Sequence, residues 1–174
     1  MEWYVDIVIA YPITTAMIQF AILGTLGDFI SKWIINKKIF FPVTIRTMFL
    51  IMIEWAFLAV CIKYAFTGFQ GFIDSLVEHA LLPEMNHIIR AFAVSTAMNL
   101  QFGPFLVIMH RVLDNAIARK VNWKMLDKGL LSLLWFWIPA QTLTFSLPKP
   151  YQIGLAAVWS LVLGIILGLF NRRK

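Results

Sequence analysis

Cysteine is close to absent from this 174-residue chain. The single Cys61 excludes an internal disulfide. Catalytic constellations are missing as well: there is no nucleophile elbow, phosphate-binding loop, pair of carboxylates at one depth, or cluster of Cys and His. The expectation is a protein that is not an enzyme, with no catalytic residue, metal site or cofactor. Charge is sparse, with Asp, Glu, Lys and Arg only 14% of the residues. An import signal is also expected to be absent. The chain starts Met-Glu-Trp-Tyr-Val-Asp, acidic and aromatic, whereas presequences are Arg-rich and signal peptides begin with a basic region.

Apolar surface is what the chain has in excess. Hydrophobic residues make up 60% and the mean hydropathy is +0.78. A soluble domain of this size cannot bury so much, but a bilayer can. Apolar stretches near residues 7–35, 47–66, 88–110, 130–147 and 153–170 each come near or exceed the roughly 20 residues a membrane-crossing helix needs. Helices follow because lipid cannot satisfy open backbone groups. The expected fold is an all-α integral membrane protein, a bundle of about five transmembrane helices forming a single domain over residues 1–174.

Basic residues predict the orientation. Lys32, Lys37, Lys38 and Arg46 follow the first stretch, Arg111, Arg119, Lys120, Lys124 and Lys128 follow the third, and Arg172, Arg173 and Lys174 end the chain. The opposite side has only Lys63, Arg90 and Lys149, beside Glu2, Asp6, Asp74, Glu78 and Glu84. That places the N-terminus outside and the C-terminus inside. The net charge of +6 then reads as a topology signal, and no nucleic-acid partner is expected. Between the second and third stretches, Phe72, Ile73, Leu76, Val77, Ala80 and Leu81 alternate helically with Asp74, Ser75, Glu78 and His79, bounded by Gly71 and Pro83. This predicts a short helix in the outer interface.

Polar groups inside spans are costly and tend to face a bundle interior or a wet cavity. Counting from the span ends at ~1.5 Å per residue puts Gln19, Glu54, Asn99, Gln101 and Gln141 near one level. Pro104, after Gly103, and Pro139 lie close to it and predict kinks. Two accounts stay open: interhelical hydrogen bonding in a dry bundle, or a polar cavity closed by Trp135, Trp137 and phenylalanines. Asp28 and Lys32, four residues apart, read as a surface ion pair. Ala156, Ser160, Gly164 and Gly168 recur every four residues, a ridge serving either the bundle or a homo-oligomer.

At these residues the chain resembles the Mpv-seventeen / peroxisomal membrane protein (twenty-two kilodalton) family of small integral membrane proteins, as a distant, prokaryotic-type member. Four blocks carry the likeness. Tyr11-Pro12 and Thr25-Leu26-Gly27-Asp28-Phe29-Ile30-Ser31 are similar to the family's Tyr-Pro and Gly-Leu-Gly-Asp-x-x-Ser-Gln, with Lys32 in place of Gln. Gly103-Pro104 and Leu113-Asp114 keep the family spacing, with Met109 and His110 where the family has Trp-Tyr. The stretch from Trp137 through Pro139, Gln141, Thr144 and Phe145 to Pro148 is similar to Trp-Pro-x-x-Gln-x-x-Asn-Phe-x-x-Val-Pro, its first proline displaced by one. Trp159 matches a Trp of the final span. The family's Asp-Gln span between the second and third blocks has no counterpart. Members are associated with peroxisomal or mitochondrial membranes and with permeability to small solutes.

The resemblance implies a pore or a metabolite-handling membrane protein. The expected function is a channel or passive facilitator for small hydrophilic solutes, with the bilayer and a polar solute as partners. The alternative is a non-transporting protein that organises the membrane or a complex in it. The acidic, aromatic start favours a bacterial plasma membrane over a mitochondrial or peroxisomal one.

Overall fold

The computed structural model describes residues 2–172, with side chains described through residue 166. Every regular element among them is helical: α1 (Glu2–Ala10), α2 (Pro12–Asn36), α3 (Ile45–Glu78), α4 (His87–Gln101), α5 (Gly103–Ala118), α6 (Leu126–Ser132), a π-helical turn (Leu133–Trp137), α7 (Ile138–Phe145) and α8 (Lys149–Arg172). Helices α2, α3 and α8 are long and apolar enough to cross a membrane, and α4 with α5 makes a fourth if the bent pair is one span. Three to four such helices are consistent with a multi-pass membrane protein. The stretch 130–147, expected to be a span, is covered by α6, the π-helical turn and α7, none of them long enough alone.

Two differences from the sequence expectation have local causes. The first stretch breaks at Tyr11, where Pro12 opens α2 at a position that needs no N–H donor. The separate interfacial helix expected around 71–83 is instead the end of α3, which runs 34 residues without interruption. Gly68 and Gly71 stay helical inside it, since a mid-helix glycine costs only about 1 kcal/mol. At 1.5 Å per residue α3 is about 51 Å long, so it exceeds the ~30 Å hydrocarbon core without needing a bend. Its true end is at Ala80, which takes the left-handed conformation at φ 56°. There the Leu81 N–H reaches Leu76 O at 2.9 Å and the Ala80 N–H reaches Val77 O at 3.0 Å, a Schellman closure.

The stretch 88–110 bends where Gly103 and Pro104 predict a kink. Helices α4 and α5 meet at Phe102 with a 48° bend. Pro104 has no N–H for the carbonyl of Leu100, which removes one rung of the ladder there. At Pro139 the chain adapts differently. The Ile138 N–H bonds Leu133 O, five residues back, and this widened turn accommodates the ring.

The chain divides into two compact units. The first comprises residues 1–60 and 154–174, the second residues 61–153, so the boundary falls within α3 and α8. In the first unit α2 and α8 approach at the backbone: a Cβ on Gly164 would come within 2.6 Å of Gly27 O, and one on Gly27 within 3.0 Å of Leu161 Cα. Small residues permit that approach. In the second unit Phe66 and Phe145, both buried, pack at 4.7 Å between ring centroids.

Candidate functional site

In the first unit, Tyr4 Oη donates to Gln19 Oε1 at 3.3 Å, and both side chains close over Gly154, which has no room for a Cβ. Gln19 thus ties α1 to α2 against α8. Glu54 is only 4% exposed and shares a face of α3 with the buried Ile51 and Leu58. Its neighbour Trp55 lies over Gly24 and donates its indole N–H to Asp28 Oδ2 at 3.0 Å. Asp28, expected to make a surface ion pair, therefore serves as an acceptor between α2 and α3. Because Trp55 is level with Gly24 and the two helices run antiparallel, Gln19 and Glu54 are offset by about 9 Å along the helix axes.

The ridge of α8 is used in the same unit. Ala156 and Ser160 are buried, Ser160 and Gly164 face Gly27, and Ser160 Oγ donates to Ala157 O. Gly168 lies outside the residues whose side chains are described. Trp159 is half-buried.

In the second unit the α4–α7 contact carries a polar seam. Ser95 Oγ donates to Ile138 O at 2.8 Å, and Asn99 Nδ2 donates back to Ser95 O at 2.9 Å. At the other end of the contact His87 Nε2 lies 2.9 Å from Ser146 O. These two contacts set an antiparallel register in which Asn99 and Gln141 fall on opposite sides of the Ser95–Ile138 pair. They are about 10 Å apart along the axes. Asn99 is 5% exposed and Gln141 4%, but their situations differ. The Asn99 amide is bonded to its own helix, while Gln141 Oε1 is buried with no hydrogen-bond partner. Such an acceptor costs about 1–3 kcal/mol. Thr96 Oγ1, beside Ser95 on α4, is buried and unpartnered too.

Gln101 is exposed at the end of α4. With Phe102 and Phe105 it borders an open cleft of ≈ 490 Å³ whose other wall is α3 at Cys61, Tyr64 and Phe69. Trp135, expected to close a cavity, is itself exposed, and Trp137 is half-buried against Phe136. Gly103 is buried under Leu133, leaving no space for a Cβ. Leu113 and Asp114 are half-buried, and Asp114 Oδ2 lies 3.8 Å from Arg111 Nη1.

Several polar residues that hold this unit together lie at the edges of the expected spans or beyond them. Gln70 Nε2 donates to Gln152 Oε1 at 3.2 Å, and Gln152 Nε2 to Leu147 O at 2.9 Å. Gln70 sits in the segment whose pattern predicts an interfacial helix and Gln152 one residue before an expected span, so the span pattern marks neither as intramembrane. Arg90 clasps Asp74 through two bonds of 2.6 and 2.7 Å. The only signal for that pair was its opposite charge on one predicted side.

Among the described residues the buried polar groups are amides, hydroxyls and one carboxylate, a set that accepts hydrogen bonds from neutral or cationic donors. No protein-family model, no curated protein and no solved structure matches the chain.

Proposed function

We propose that this protein is a channel or passive facilitator for small hydrophilic solutes. In this reading it is built from about five spans with the N-terminus outside and the C-terminus inside, in a bacterial plasma membrane. The observation that carries the reading is Gln141: an amide 4% exposed, with its oxygen unpartnered, on a helix of a chain otherwise dominated by apolar residues. A dry bundle gains nothing from that group, whereas a transient solute or water can satisfy it. Glu54, buried on α3, adds a carboxylate that would favour cations or serve as a protonation gate. The resemblance to the Mpv-seventeen family points the same way, toward solute permeability rather than catalysis or nucleic-acid binding.

The rival reading is a protein that organises the bilayer or a membrane complex without transport. The close Gly27–Gly164 crossing and the internally bonded Gln19 and Asn99 favour it, since these polar groups act as interhelical and intrahelical ties. Cysteine accessibility separates the two. With Cys61 replaced by Ser, a Gln141→Cys variant in liposomes should react with a small, charged, membrane-impermeant thiol reagent. A folded Gln141→Cys protein that reacts only with apolar, permeant reagents would favour the organising role.

A further inference from the structure

The turn between α5 and α6 clusters cations whose sign agrees with the expected topology, but neither topology, transport nor helix packing explains the large apolar side chains exposed among them. Arg119, Lys120, Val121, Asn122, Trp123 and Lys124 are all exposed, and Lys128 follows in the first turn of α6. Among the described residues, no ion pair engages Arg119, Lys120, Lys124 or Lys128. Asp127 is the one exposed acid between Arg119 and Lys128, so the segment carries four cations against one anion. Two large apolar side chains stand among the cations: Val121 is 75% exposed and Trp123 49%.

The turn has a defined shape. Arg119 takes the left-handed conformation at φ 50°, with the Lys120 N–H on Asn115 O at 3.2 Å. Asn115 Oδ1 accepts from the Asn122 N–H at 2.9 Å, and Asn122 Oδ1 from the Lys124 N–H at 3.0 Å. The cations and the indole are thus presented from a braced loop. It follows the C-terminus of α5, half of the bent pair long enough to cross a bilayer.

We propose that this turn is a docking surface for the headgroups of anionic phospholipids. Arg119, Lys120 and Lys124 would take the headgroup phosphates, and Trp123 and Val121 would sit at the level between headgroups and acyl chains. Charge complementarity argues for this occupant, because a single-signed cluster beside a bilayer meets the negative surface potential of anionic lipid. The aromatic residue supports it further, since Trp concentrates at the membrane–water interface and a purely solvated loop has no use for an exposed indole. An acidic protein or a nucleic acid would need the cations but not the apolar pair at that depth.

The test uses the full chain reconstituted in phosphatidylcholine bilayers with trace spin-labelled phosphatidylglycerol or spin-labelled phosphatidylcholine, comparing the motionally restricted fraction of each. The native chain should prefer phosphatidylglycerol, and R119Q/K120Q/K124Q should lose most of that preference. The ceiling is about fivefold per charge removed, and less as salt is raised. Single K120Q and K124Q variants should lose part of it. In the native chain, brominated phosphatidylglycerol should quench a Trp emission component that Trp123→Phe removes. Equal association of the two lipids with the native chain would overturn the proposal. So would a preference that survives in folded K120Q, K124Q and the triple variant, or a Trp123 component insensitive to brominated lipid.

Discussion

Trp55 and Asp28 are joined across α2 and α3 by an indole N–H donated to a carboxylate oxygen at 3.0 Å, with the indole ring laid on Gly24. The contact depends on glycine, because a Cβ at position 24 would fall within 2.6 Å of the ring. Phe20 stacks on the same indole at 6.4 Å. Gly24→Ala should therefore destabilise the protein by about 1–3 kcal/mol through overpacking. In a Trp55→Ala background most of that penalty should vanish. Denaturation of the four proteins of this cycle in detergent gives the coupling. An undiminished penalty without the indole would contradict the packing described.

Glycines elsewhere should behave differently according to what their missing Cβ would meet. Gly164→Ala pushes a methyl against the Gly27 backbone, which cannot rotate away, so a loss of about 1–3 kcal/mol is expected. Gly71→Ala meets nothing within 4 Å in the last third of α3, so it should be neutral or stabilising by up to about 1 kcal/mol. Thermal unfolding of the two single variants reads the contrast. A destabilising Gly71→Ala would argue for a chain break there and against a continuous α3.

Ala80 closes α3 in a left-handed conformation that costs a residue with a Cβ roughly 1–2 kcal/mol. Ala80→Gly should recover about 1 kcal/mol of this, net of the entropy glycine loses on folding. A rise in unfolding midpoint without a change in helical circular dichroism would agree. A fall would mean that α3 ends elsewhere.

The all-helical class, with helices long and apolar enough to cross a membrane, was legible because it follows from composition and stretch length, which need no partner. The positions of breaks were only partly legible. Proline marks a missing donor, as at Pro12 and Pro104, yet the same residue at Pro139 is absorbed by a widened turn whose need depends on the packing of Leu133 and Phe136. Gly71 reads as a boundary, but whether a helix stops at a glycine depends on competing bonds that only the fold supplies. Axial register is the least legible quantity. Counting residues from span ends places Asn99 and Gln141 at one level, whereas the Ser95–Ile138 and His87–Ser146 contacts offset them by about 10 Å. Tyr4 and Trp55, the donors to Gln19 and Asp28, are aromatic residues among many, with no sequence signal of their own.

The polar interior predicts a division of labour among its residues. Asn99→Leu removes an amide that bonds its own helix, so its main effect should be on stability. Gln141→Leu removes an unpartnered acceptor, so it should cost little stability, up to a gain of about 1–3 kcal/mol, while lowering solute flux. Parallel unfolding and flux measurements on the two variants check this, and the reverse pattern would make Gln141 the structural group.

Release of graded polar solutes from liposomes carrying the purified protein tests the central claim most directly, with Glu54→Gln as the companion variant. A facilitator predicts release that falls with solute size, and Glu54→Gln should alter it or its pH dependence while the protein stays folded. Release no faster than from empty liposomes, with folded and inserted protein, would contradict the channel and leave the buried polar groups as ties between helices.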